Sequence, residues 1–295
     1  MASFRASAPE AGAAGSGLQA PGSLSRQAAG RAELTAVRAA NGRTVVTRAY
    51  ATSPLRLLMP ANPGDAAWVY TSSFGGGLVD GDRLVVDAEV GPGASVFLST
   101  QASTKVYRSP RGTSTEMHAR VGGGALLVVA PDPVVCFAES RYQQTQQFDL
   151  DAGANLVLVD WMTAGRHVSG ERWAFDEYRS RLRVRQRGRA VVHDAVALLA
   201  AHGPLAVRMG RFNVTGVALL LGDRVRSAVA ALLGDLGSAP LSRRAGDLMA
   251  ATPVGDGGCL LRFAGESTER MGRTLRACLD VVPRLLGDDP WSRKW

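Results

Sequence analysis

Residues 75–109 read GGGLVDGDRLVVDAEVGPGASVFLSTQASTKVYRS, and this stretch carries the pattern that decides the fold. Glycine corners at residues 75–77 and 91–93 enclose a run in which apolar and polar residues alternate. A second run, residues 95–99, leads into the polar segment 99–105. Alternation with a period of two is typical of half-buried strands, and glycine clusters mark the turns between them. The stretch therefore predicts a β scaffold that presents hydroxyl and amide groups at a strand end.

Strand-like segments separated by glycine or proline turns continue through residues 32–221. They include residues 44–49, 83–90, 95–99, 126–130, 156–161 and 178–185. Short strands at this spacing are typical of a sandwich, a barrel or a β-solenoid, and no repeat of fixed period selects among the three. The predicted fold class is therefore mainly β.

Two helices are predicted within residues 222–295. Residues 223–236 carry apolar side chains at the spacing of one helical face, and Gly237 is the predicted stop. Ser267 is a good N-cap for a second helix, whose apolar stripe extends from Met271 to Leu286. Pro283 is expected to kink or end that helix.

The first thirty residues differ in composition from the rest of the chain. They are dominated by alanine, glycine and serine, and cannot bury enough apolar surface to offset the entropy of ordering. We expect residues 1–30 to be a disordered, low-complexity extension, with an organelle transit peptide as the alternative. Residues 31–295 are then expected to form a single domain.

Composition restricts the classes of partner. No apolar run approaches the ~18 residues needed to cross a bilayer, and the three cysteines show no C-x-x-C spacing, so a soluble, cytoplasmic protein without a membrane partner is expected. The net charge of +8 comes from arginine, because only Lys105 and Lys294 are lysines. The basic runs have few interleaved aromatic residues, so nucleic acid is not an expected partner. Arginine instead suits acidic protein surfaces.

Several motifs resemble the urease accessory protein D family, called H in some organisms, whose members carry GG…GD-R/C followed by TTQA-TK-YRS. The matching positions are Gly76, Gly77, Gly81, Asp82, Thr100, Gln101, Ala102, Thr104, Lys105, Tyr107, Arg108 and Ser109. Residues 131–137, PDPVVCF, look like a stretch of the plant and fungal branch. Residues 160–173 resemble the family's DW…GR…SGE-W signature, which includes Arg166.

This resemblance implies a urease maturation chaperone rather than an enzyme. Family members fold as an irregular β-helix with a pair of helices. They bind apo-urease and the accessory proteins F and G, and an internal water-filled passage is thought to deliver nickel to the urease active site. No tightly bound cofactor is implied, because nickel is in transit.

Four carboxylates are the predicted transient nickel ligands: Asp82, Asp132, Asp160 and Glu171. Weak oxygen ligands suit an ion that must be passed on, since conduction needs sites that the ion can leave. The signatures of phosphate-binding loops, serine hydrolases and zinc proteases are absent from the sequence. The alternative function is a β-helical carbohydrate-active enzyme that uses Asp160 and Glu171 as its carboxylate pair.

Arginines recur at every second position from Arg179 to Arg189. On a strand this period places the arginines on one face, where their like charges repel unless carboxylates on neighbouring strands or an acidic partner neutralise them. Arg181, Arg183 and Arg185 are the predicted partner contacts. The alternative is that neighbouring strands pair these arginines internally.

Overall fold

The computed structural model describes residues 29–239, 242 and 244–292, without the side chain of Val168. The extension predicted for residues 1–30 lies, up to residue 28, outside the described residues. The strands are β1 (Gly30–Arg38), β2 (Thr44–Ala51), β3 (Leu55–Leu58), β4 (Ala67–Ser73), β5 (Arg83–Val90), β6 (Ser95–Thr100), β7 (Lys105–Val106), β8 (Thr113–Val121), β9 (Leu126–Val129), β10 (Val134–Cys136), β11 (Arg141–Leu150), β12 (Asn155–Thr163), β13 (Glu177–Gln186), β14 (Arg189–Leu199), β15 (Val214–Leu221), β16 (Asp247–Val254) and β17 (Gly258–Gly265). The helices are α1 (Leu205–Met209), α2 (Arg226–Ser238), α3 (Thr268–Cys278) and α4 (Val281–Leu286).

The strands form two large sheets. One has the order β14-β13-β11-β8-β5-β1-β2, and the other has the order β16-β17-β15-β12-β9-β6-β4-β3, with β10 beside β12 and β7 beside β10. From β4 to β13 the chain alternates between the sheets, and successive strands of each sheet are parallel. The chain therefore coils as a β-helix, with β7 and β10 as a short third side. The prediction of a mainly β fold is confirmed.

Glycine corners stack on one another at one end of the coil. The corner at residues 91–93 joins β5 to β6, and the amide of Gly93 donates to the carbonyl oxygen of Gly123 at 3.0 Å. A Cβ atom on Gly122 would lie 2.8 Å from the nitrogen of Pro92. Side chains would therefore separate the corners, and glycine lets successive coils reach strand-pairing distance.

Apolar side chains occupy both faces of the ten-stranded sheet. On the inner face, Leu127 and Leu158 belong to the core between the sheets, to which the seven-stranded sheet contributes Phe148. The outer face is covered by α2, α3 and α4, with Met271 and Leu275 of α3 fully buried or nearly so. No helix in the described part of the chain has the length and apolar character needed to cross a bilayer.

The carboxyl-terminal region differs from the expectation in three ways. A 3-10 turn covers Asp223–Val225, and α2 extends beyond the predicted stop at Gly237 to Ser238. The second stripe is broken between α3 and α4, and Pro283 lies in the first turn of α4, where a missing amide costs no hydrogen bond. Strands β16 and β17 were missed, and they extend the same sheet by pairing next to β15.

Gly77 allows the third side of the coil to close. The amide of Leu78 donates to the carbonyl oxygen of Lys105 at 2.8 Å, and the amide of Tyr107 donates to the carbonyl oxygen of Leu78 at 3.0 Å. A Cβ atom on Gly77 would lie 2.6 Å from that oxygen of Lys105 and 2.7 Å from the Tyr107 ring. This part of the recognised motif therefore has a structural role.

We expect Gly77→Ala to lower the free energy of unfolding by about 1–3 kcal/mol, because the added methyl group overpacks against backbone. Gly234→Ala is the matched control, since nothing lies within 4 Å of its Cβ position in α2. Alanine there should raise the free energy of unfolding by about 1 kcal/mol. Urea unfolding of both variants measures the difference, and equal stability of the two would contradict the packing argument.

Candidate functional site

A cavity of about 310 Å³ lies between the two sheets, beside the polar segment predicted from the sequence. Gly76, Thr100, Gln101 and Thr104 of the recognised motif line its outer part. Gln101 is exposed, so this part of the cavity faces solvent. Asp132 lines the same cavity, and its amide donates to Oγ1 of Thr100 at 2.9 Å. We call this the first cavity.

A chain of hydrogen bonds crosses the interior from the first cavity. Oγ1 of Thr115 lies 2.6 Å from the hydroxyl of Tyr142, which donates to Oε1 of Gln144 at 3.1 Å. Nε2 of Gln144 donates to Oγ of Ser180 at 3.2 Å, and Ser180 donates to Oδ2 of Asp160 at 2.8 Å. The inward-facing positions of β8, β11, β12 and β13 therefore carry a connected polar network inside an otherwise apolar sandwich.

A second cavity, of about 480 Å³, lies on the far side of this network. It is bordered by β13 and β14 of one sheet and by β15, β16 and β17 of the other. Ser180, Asp194 and Arg262 contribute its polar lining, and Leu248 of β16 is an exposed apolar member. Asp160 lines both cavities. This carboxylate is therefore the residue that the two linings share.

The environment of Asp160 disfavours its charged form. The residue is only 8% exposed, and burial raises the pKa of its carboxyl group above the ordinary value. The nearby Asp194 carboxylate raises that pKa further, whereas hydrogen bonds from Gln144, Ser180 and Gln146 act in the opposite direction. A cation that reached Asp160 would stabilise the ionised form and relieve this cost.

Asp82 and Glu171 lie outside both cavities. Oδ2 of Asp82 accepts a hydrogen bond from the amide of Val79 at 2.8 Å, so the buried carboxylate closes a turn. Glu171 forms an ion pair with Arg166 and accepts a hydrogen bond from the amide of Ala138 at 3.2 Å. Of the four predicted carboxylates, the structure brings only Asp132 and Asp160 to the cavities.

The remaining signature residues gather on the third side of the coil. The rings of Tyr107 and Phe137 meet edge to face at 5.1 Å between centroids, and the guanidinium of Arg166 lies 4.4 Å from the centre of the Phe137 ring. Arg166 is also the partner of Glu171, and its hydrogen bond lowers the pKa of that carboxyl group. Lys105 is exposed on the adjoining strand β7.

The arginine row lies on the outer face of the seven-stranded sheet. Arg181, Arg183 and Arg185 are exposed, and within the described part of the chain none of them has a hydrogen-bond or ion-pair partner. Arg179 pairs with Glu177 at 2.5 Å. The row is interrupted at the hairpin turn between β13 and β14, where Arg187 adopts a φ of 51°. The expected single face is therefore formed by the arginines of β13.

Sequence reasoning missed most of the polar interior, notably Tyr142, Gln144, Ser180, Asp194 and Arg262. A signal was present, because Asp194 alternates with apolar residues on β14 at positions that face inward. A charged residue in such a place marks either a buried ion pair or a lined cavity.

The structure does not bring Asp160 and Glu171 together as a carboxylate pair, since only Asp160 borders a cavity. A glycoside hydrolase needs its two carboxylates to flank the same bond. The described residues also contain no group of three or more histidine, cysteine, aspartate or glutamate side chains placed to hold a metal ion. The arrangement offers carboxylates in the linings of two cavities that share Asp160.

Comparison with known proteins identifies close relatives. The sequence model of the family described as UreD urease accessory protein matches residues 28–295. The urease accessory protein UreD of Sorangium cellulosum is 51% identical over 267 residues, which cover 90% of this chain and 85% of that protein. The protein of the same name from Anaeromyxobacter is 42% identical over 91% of this chain and 90% of its own. Urease accessory protein D of japonica rice is 38% identical over 71% of each chain.

Proposed function

Because this chain belongs to the UreD urease accessory protein family, we propose that it is a non-enzymatic maturation chaperone that passes nickel through its interior to apo-urease. The family identity supports a role in urease maturation. The proposed path enters at the polar segment, passes Asp132 and Asp160, and leaves through the second cavity. The proposed protein partners are apo-urease and the accessory proteins F and G, and nucleotide hydrolysis belongs to the G protein.

The observation that carries this proposal is the position of Asp160. One buried carboxylate borders two cavities that together extend from the Thr100–Thr104 side of the coil to the gap between β14 and β16. A buried carboxylate that has no countercharge costs stability when it ionises. A divalent cation moving between the cavities would supply that countercharge.

The chemistry of the lining fits an ion in transit. The polar groups along both cavities are mainly hydroxyls, amides and carboxylates, with the guanidinium of Arg262 in the second cavity, and the described lining contains neither cysteine nor histidine. Thiolate and imidazole ligands would bind nickel firmly, whereas single oxygen ligands bind it weakly. Weak, successive sites allow an ion both to enter and to leave.

The experiment that tests this function is activation of apo-urease at controlled nickel concentration, with and without the full chain, in the presence of the F and G proteins. The expected result is that activation at limiting nickel requires this chain and that it co-elutes with apo-urease or with the F protein on size exclusion. Absence of any complex together with unchanged activation would overturn the proposal.

The arginine row is the proposed contact with an acidic surface of one of these partners. We expect the triple change of Arg181, Arg183 and Arg185 to glutamate to weaken one complex by roughly tenfold or more, because reversed charges repel the partner. The triple lysine variant is the control, since it keeps the charge and should bind nearly as well. Affinities measured at two salt concentrations check this, because screening reduces contacts between exposed charges. Equal binding of both triple variants at physiological salt would show that the arginine row is not part of the interface.

A further inference from the structure

An ion pair that joins the two sheets crosses the second cavity. Arg262 belongs to β17 of the ten-stranded sheet, and Asp194 belongs to β14 at the end of the seven-stranded sheet. Nη2 of Arg262 donates to Oδ1 of Asp194 at 2.5 Å. Both residues line the cavity that Asp160 borders. The pair therefore stands at the end of the proposed path, between Asp160 and the gap at β14 and β16.

Both charged side chains occupy positions that the strand pattern assigns to apolar residues. Arg262 lies opposite Val217 in the pairing of β17 with β15, and Val217 belongs to the core between the sheets. Asp194 follows the buried Val192 by two residues along β14. An ion pair whose arginine is half exposed contributes little net stability, because solvent screens the attraction. Its presence is better explained by a role in the cavity.

Electrostatics indicates what that role is. Asp160 and Asp194 face the same cavity and interact through their charges. Two uncompensated carboxylates would attract a divalent cation about twice as strongly as one, so the ion would leave more slowly. A passage instead needs sites that the ion can leave. The guanidinium of Arg262 compensates one of the two negative charges.

We propose that Arg262 is a displaceable counter-cation, which holds Asp194 when the passage is empty, yields to an arriving divalent cation, and returns to release it. This inference rests on the proposed nickel passage. The side chain of Arg262 is 54% exposed and that of Asp194 is 11% exposed. Arg262 can therefore turn towards solvent while Asp194 stays in the cavity. In this role Arg262 determines how long the ion stays at the end of the path.

The test is equilibrium retention of nickel(II) by the full chain in a chelator-buffered solution, with melting temperatures recorded for each variant. Arg262→Gln is expected to retain nickel roughly tenfold more tightly, which corresponds to about 1.4 kcal/mol. Arg262→Met should do the same, because it also removes the charge and packs beside Val217. In the double variant Arg262→Gln with Asp194→Asn, retention should return close to that of the wild type.

Arg211→Gln is the matched control, because Arg211 forms an ion pair with Glu266 at 2.9 Å outside both cavities. Its nickel retention should equal that of the wild type. Unchanged retention in folded Arg262→Gln or Arg262→Met overturns the counter-cation role. A separate experiment tests the passage itself: if a variant that lacks the carboxylates of Asp132 and Asp160 delivers nickel normally, the passage proposal is wrong.

Discussion

Replacement of Asp132 and Asp160 together by asparagine is expected to slow urease activation at limiting nickel by roughly tenfold, the equivalent of about 1.4 kcal/mol in the barrier to delivery. The two carboxylates line successive parts of the proposed path, Asp132 in the first cavity and Asp160 in the lining of both cavities. Each single replacement should have a milder effect, because a path of several weak sites tolerates the loss of one. Excess nickel should restore the rate of the double variant, since concentration compensates for a kinetic barrier.

Asp82→Asn with Glu171→Gln is the matched control, because it also removes two negative charges, but at positions outside both cavities. The amide side chains can still accept the hydrogen bonds from Val79 and Ala138 but lose the negative charge that strengthens them, so the control should be slightly less stable than the wild type. Its dependence on nickel should match that of the wild type. Urease activity and nickel content, measured against nickel concentration beside melting curves, separate the two cases. Full activation by a folded Asp132→Asn, Asp160→Asn variant at limiting nickel would end the passage proposal.

Strand periodicity was enough to predict the class of fold. The segment 83–90 coincides with β5, and the glycine corners at 91–93 and 122–124 mark two successive turns of the coil. Periodicity could not select the β-helix from a sandwich or barrel, because the choice depends on which strands are neighbours in space. Pairing of β5 with β8 joins residues that lie a whole coil apart in the chain. The sequence of each strand therefore does not show which distant strand it pairs with.

The candidate site was predictable only in part, for a related reason. Thr100, Gln101 and Thr104 lie in one continuous polar segment, and the segment does line the first cavity. Glu171 looked similar to Asp160 in the sequence, yet the fold places Glu171 beside Arg166 on the third side of the coil. The way in which the coils stack decides whether a carboxylate lies beside a cavity or beside an arginine. That stacking cannot be predicted from the identity of one charged residue.

The buried position of Asp160 has a cost in stability. Asp160→Asn alone should raise the melting temperature at neutral pH, even though it removes a proposed nickel contact. Burial raises the pKa of this carboxyl group in the folded protein, so the native state binds a proton more readily than the unfolded chain does. Stability therefore falls as pH rises from the ordinary value of 3.8 through the folded-state pKa. Asparagine nearly matches the shape, can still accept the hydrogen bond from Ser180, and does not ionise.

The gain in melting temperature should thus be small near pH 3.8, grow as pH rises, and level off above the folded-state pKa. Thermal unfolding across this range, with a chelator present to exclude metal, measures it. Asp82→Asn is the control at a second buried aspartate, and it should lower the melting temperature, because asparagine can still accept the hydrogen bond from the turn amide of Val79 but loses the charge that strengthens it. If the wild type is more stable than Asp160→Asn at neutral pH, the carboxylate of Asp160 stabilises the fold. If the variant is more stable but activates urease less well at limiting nickel, the charge of Asp160 has a role in nickel transfer and not in stability.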